Sequence, residues 1–180
     1  TNAAGETITE KMVVKIANVN ETPILITALA NQSNDEDSTF SFTVPSSTFT
    51  DVDGDVLSYS VTLSSGQNLP TWLSFNGTTR TFTGTPLNGD VGAINIKVTA
   101  SDGSLSATTT FALTVVNTND DPIDLTLSST AINENTSGAV VGDLNTTDVD
   151  NIHGDTHTYS ISGVDAAAFG VINNQLKLKD

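Results

Sequence analysis

With 180 residues and 37% apolar content, the chain can bury one or two ordinary cores and is no disordered tail. Six basic residues against 21 acidic ones give a net charge of −15, which argues against nucleic acid and anionic membranes as partners and makes cations the natural counterpart. There is no cysteine, hence no disulfide and no thiolate nucleophile or zinc ligand, and no run approaches the roughly 20 apolar residues of a membrane helix.

The opening TNAAGETITE lacks the basic and apolar regions of a signal peptide, as an internal piece of a longer protein would. Strand patterns dominate the rest of the chain. MVVKIANV alternates through Met12, Val14 and Ile16, and STFSFTV does so through Phe40, Phe42 and Val44. AINIKVTAS continues the pattern through Ile94, Ile96, Val98 and Ala100, and TTTFALTVV through Phe111, Leu113 and Val115. Gly, Asn and Asp clusters break these runs at short intervals, which predicts an all-β sandwich. Only VDAAAFG, residues 164–170, could form a short turn of helix, with a loop as the alternative, and NQLKLKD reads as a last strand.

Three motifs recur in one order. NVNETP returns as NTNDDP with its prolines, Pro23 and Pro122, 99 positions apart. NDEDST and INENTS place Glu36 and Glu134 98 apart, and TDVDGD…YS and TDVDNIHGD…YS place Asp51 and Asp148 97 apart. That spacing is about one sandwich domain, so the chain reads as a tandem array. Residues 1–20 are expected to be the terminal strand of a preceding module, 21–118 a complete module, and 119–180 the first part of the next. The first and last segments are complementary in kind, and could complete one another between neighbouring molecules.

Acidic residues concentrate rather than spread: positions 35–55 and 120–155 hold 14 of them and no Lys or Arg. On an extended chain Asp51 and Asp53 would share a face while Val52 turned to the core. Paired carboxylates suit a hard cation such as Ca²⁺, which takes 6–8 oxygen ligands, and the Asn/Asp-rich strings at the joints supply more. Singly, each string is equally an Asp-Gly turn or a solvated acidic loop; the repetition of all three favours Ca²⁺. An EF-hand is excluded, because counting from Asp51 the glycine falls fourth instead of sixth and Thr62 stands at the twelfth position.

NTNDDP, INENTSGAVVGDL and TTDVD…HTYSISG together resemble the first half of a bacterial cadherin repeat. LPTWLSFNGTTRTFTGTP followed by GAINIKVTASDGSLSATTTFALTVVNTND is similar to the dystroglycan-type cadherin-like domain, an immunoglobulin-like module of large secreted bacterial proteins. This resemblance implies Ca²⁺ at the joints, held by both flanking modules. The first junction would use Asn18, Asn20 and Glu21 with Asp51, Asp53 and Asp102. The second would use Glu36, Asn119, Asp120 and Asp121 with Asp148 and Asp150. The acidic LDRE-type motif of cadherins has no match in the middle module, where only Asp90 lies in a comparable place. Asp55, matched by Asp155, reads as a turn residue.

Other features point elsewhere. An exposed Trp72 could stack on a sugar, but its neighbours Leu73 and Phe75 favour core packing. HGDTH places His153 and His157 four apart, which would converge on zinc from a helix but here falls in a polar loop. No nucleophile-elbow motif accompanies the histidines, so no enzyme is expected. The strings NQS, NGT, NTS and NTT are chance glycan acceptors in Asn/Thr-rich loops. The expected function is a Ca²⁺-stiffened region of a secreted or surface adhesin, extracellular, contacting adjacent repeats of its own chain. The alternative is a polysaccharide-binding accessory module.

Overall fold

Thirteen short strands carry almost all the regular structure among the described residues, which are 3–5, 9–133, 136 and 138–179 of a computed structural model. Glu134 lies outside them. The first nine are β1 (Ile24–Leu25), β2 (Gln32–Asp35), β3 (Phe40–Thr43), β4 (Phe49–Thr50), β5 (Ser58–Leu63), β6 (Leu73–Asn76), β7 (Thr81–Gly84), β8 (Gly92–Ser101) and β9 (Ser106–Val116). They are followed by β10 (Asp124–Leu127), β11 (Val140–Thr147), β12 (Phe169–Ile172) and β13 (Gln175–Leu178). Three 3₁₀ turns, Asn88–Asp90, Val149–His153 and Ala166–Ala168, interrupt the loops, the last of them inside VDAAAFG.

The sheet β2-β9-β8-β5 faces the sheet β3-β7-β6, while β1 pairs only with β4. β2 runs parallel to β9, from Gln32 opposite Leu113 to Asp35 opposite Val116, and the other pairings of these two sheets are antiparallel. This is an immunoglobulin-like sandwich. The alternating residues of β8 and β9 meet those of β3 and β7 inside it: Phe40, Phe82, Ile96, Val98, Phe111 and Leu113 are buried. Phe82 is fully buried and touches the rings of Phe42, Phe75 and Phe111, with centroids 4.6 to 6.2 Å away. Trp72 packs half-buried against this cluster, as its neighbours lead one to expect. Gly84 allows it: a Cβ there would lie 2.1 Å from the Trp72 carbonyl oxygen.

Strands β10 to β13 form a separate sheet, in the order β10-β11-β13-β12, on which Val141 alone among the described apolar residues is buried. The segment 9–22 departs from its strand pattern. It forms no strand, and Met12, Val14 and Ile16 are 87%, 75% and 93% exposed, because alternation makes a strand only where a ladder partner exists.

Candidate metal centre

β9 organises both sites. Its 11 residues span about 36 Å at about 3.3 Å each, so the β8–β9 turn lies at one end of the sandwich and the 117–122 linker at the other.

At the first end, the turn after β8 is tied by Asp102, whose Oδ1 accepts the N–H groups of Ser104 and Leu105 at 2.6 and 2.7 Å. These backbone donors, Leu105 foremost, hold its carboxyl below the ordinary range, and the Asn20 amide adds a bond to Oδ2 at 3.1 Å. Asp51 and Asp53 follow β4, and here the extended-chain expectation fails. The backbone bends, the Asp53 N–H bonds to Asp51 Oδ1 at 2.9 Å, and Val52 is 68% exposed rather than turned to the core. The Asp-Gly turn itself, by side-chain capping, brings the carboxylates together. Asp51, Asp53 and Asp55 each offer an oxygen within 4.8 Å of the others, so Asp55 joins the cluster as well as the turn. Asp53 also accepts the Glu21 N–H at 3.0 Å and the Asn18 amide at 2.6 Å. The Glu21 N–H, chiefly, keeps the Asp53 carboxyl below its usual range. Glu21 is pushed the other way by sharing a hydrogen bond with Asp53, by burial and by the charges of Asp53 and Asp51. Asn18, Asn20, Glu21, Asp51, Asp53 and Asp102 thus all meet at this end.

At the second end, the parallel pairing of β2 with β9 delivers Glu36 to the start of the linker. Its N–H bonds to the Val116 carbonyl at 3.0 Å, and its Oε1 accepts the Thr118 N–H at 2.8 Å. Glu36 is 1% exposed. Across the linker Asp148 caps the 3₁₀ turn, its Oδ1 accepting the Asp150 N–H at 2.9 Å, and Asp150 Oδ2 accepts the Asp120 N–H at 2.5 Å. Glu36, Asp120 and Asp150 therefore converge, oxygens within 4.8 Å, from three separate stretches of sequence. Asn119 is exposed and bonds to the Asp120 carbonyl, while Asp121 is exposed and joins no carboxylate cluster among the described residues. Asp90 joins no carboxylate cluster among the described residues; its carboxylate caps its own turn at the Leu87 N–H. Asn88, in no motif, reaches it instead and donates to Asp120 Oδ2 at 2.6 Å. Asn117 opens the repeated NTNDDP string, and its Oδ1 is buried there without a partner.

A buried carboxylate oxygen needs a donor or a cation. Glu36 Oε2, Asp150 Oδ1 and Asp51 Oδ2 are buried with no hydrogen bond, and no Lys or Arg stands within 35–55 or 120–155 to supply one, while Asp148 clusters with Asp155 and His157 instead of with Glu36. An all-oxygen, cation-poor donor set of this kind fits a hard divalent ion.

A family model described as "Putative Ig domain" matches residues 22–116. Among solved structures, human Protocadherin-24 EC1-2 in one crystal form is similar over 91% of this chain and 80% of its own, with 20% identity and a TM-score of 0.57. Another structure of the same fragment gives 90%, 79%, 17% and 0.53. An endo-fucoidan hydrolase of glycoside hydrolase family 107 is similar over 53% of this chain at 24% identity and a TM-score of 0.45; the match spans 14% of that chain. No curated protein matches in sequence. The protocadherin likeness concerns the fold alone.

Proposed function

Because this chain belongs to the "Putative Ig domain" family and carries carboxylate clusters at both ends of its sandwich, we propose that it is a calcium-binding repeat region whose joints are stiffened by Ca²⁺. In finer terms we read it as a dystroglycan-type cadherin-like module followed by part of a cadherin repeat, in an extracellular bacterial adhesin, structural rather than enzymatic. Its first partners are then the neighbouring repeats of its own chain. The observation that carries this reading is the second junction: Glu36 from the sandwich, Asp120 from the linker and Asp150 from the following segment bring carboxylate oxygens within 4.8 Å of one another, and Glu36 Oε2 and Asp150 Oδ1 are buried with no hydrogen bond. Repulsion among them loosens the joint, and a bound divalent ion would supply the positive charge that lets all three segments share it. Binding to the folded array alone also raises stability by mass action.

A thermal melt in Ca²⁺ and in EGTA, paired with calorimetric titration, tests the reading. Saturating Ca²⁺ should raise the midpoint by about 5–10 °C. An unchanged midpoint with no heat of binding would refute it.

A further inference from the structure

Among the described residues, one cluster contains a nitrogen donor. Asp148, Asp155 and His157 each present a ligand atom within 4.8 Å of the others. We propose that these three residues form a site for a borderline divalent ion, specifically Zn²⁺, distinct in chemistry from the all-oxygen set at Glu36 and sharing only Asp148 with the calcium reading.

The repeat shows what is unusual at this position. Two residues before the Tyr59-Ser60 pair the middle module has Leu57, which packs against its core; two residues before Tyr159-Ser160 the third segment has His157. An imidazole replaces an aliphatic side chain and is turned toward carboxylates. Its orientation is set from behind: Asn151 donates its amide to the Thr146 carbonyl at 3.3 Å, which leaves Asn151 Oδ1 facing His157 Nε2 at 2.9 Å. In the neutral imidazole this bond puts the hydrogen on Nε2 and leaves the lone pair on Nδ1, the atom directed at the cluster.

From Nδ1 to Asp155 Oδ2 is 3.6 Å and to Asp148 Oδ2 3.9 Å. Both are too long for a hydrogen bond. They approach the separation of about 3.4 Å that two ligands of one tetrahedral zinc keep when each bond is about 2.1 Å. Asp148 supplies the independent sign of a ligand: its side chain has no exposure, Oδ1 is occupied by the Asp150 N–H, and Oδ2 is buried with no hydrogen bond, its nearest counterpart being His157 Nδ1 across the cluster. Asp155 and His157 keep 25% and 15% side-chain exposure and line an open cleft beside Asp120, Pro122 and Thr146, so an ion and a water in the fourth position have access. Ca²⁺ prefers oxygen throughout; imidazole with two carboxylates suits zinc. His153, the nearer-looking partner in HGDTH, stands outside the cluster.

The test is calorimetric titration of the whole chain with ZnCl₂ in calcium-free buffer, repeated with His157→Leu, Asp155→Asn and His153→Gln. Circular dichroism checks folding, and His157→Leu installs the residue the middle module already uses. Expected are one zinc equivalent on the parent chain, at least about a tenfold loss of affinity in His157→Leu and Asp155→Asn, and none in His153→Gln. A zinc-induced shift of the His157 Nδ1 resonance, with Nε2 still protonated, should accompany binding in the parent chain, whatever the variants do. No zinc binding, or equal binding in folded His157→Leu, overturns the proposal, as does metallation at Nε2. The EGTA melt remains a separate readout: its failure would remove the calcium reading and leave the zinc result standing, and the reverse holds.

Discussion

Glu36 is the side chain on which the second junction turns, since one oxygen anchors the Thr118 N–H and the other is buried with nothing to accept from. Glu36→Gln keeps the shape and the anchoring bond while removing a charge from a cluster of like charges. Calorimetry should show Ca²⁺ affinity for that junction falling about tenfold or more, and the EGTA-treated variant should melt no lower than the parent. At the first junction the carboxyls predict a pH dependence. Asp53 and Asp102 sit below their ordinary 3.8, so the stability they add is present above that value and is lost as pH falls through their lowered range. Glu21 sits above its ordinary 4.5 and binds its proton more tightly when folded, so it opposes this loss. As Asp53 and Asp102 take up protons the calcium-free melting point should drop below about pH 4, and Asp102→Asn should flatten that drop in an acid series of melts.

Strands whose two faces have definite fates are readable from period alone. β3, β8, β9 and β13 lie where alternation puts them, because each has a neighbour to bond and, in the sandwich, a core to fill. MVVKIANV has the same pattern without a partner, and a pattern cannot reveal whether a ladder awaits it. The sandwich should answer core changes in proportion to burial. Phe82→Ala, removing a fully buried ring in contact with three others, should cost about 3–5 kcal/mol in urea denaturation followed by Trp72 fluorescence. Gly84→Ala adds one methyl against the Trp72 backbone, where β6 and β7 cannot part without breaking their ladder, and should cost about 1–3 kcal/mol.

Across the whole molecule, the repeat spacing makes the joints visible, and most residues named from it do meet at two ends of one sandwich. Its limits are equally physical. Asp51 and Asp53 converge through an Asx bend rather than an extended face, a distinction set by one backbone hydrogen bond. Asn88 reaches Asp120 only because the turn before β8 folds back to the linker, and no motif marks it. His157 pairs with His153 in the sequence pattern, while its neighbours in space are Asp148 and Asp155. The central claim is mechanical: a cation at the second junction ties residues 21–118 to residues 119–180. The chain has no cysteine, so Gln67→Cys and Val164→Cys, both at exposed positions, place one spin label on each side. Pulsed electron-electron resonance should give a broad distance distribution in EGTA that narrows on adding Ca²⁺, with the narrowing lost in Glu36→Gln; an equally broad distribution with and without Ca²⁺ would contradict the account.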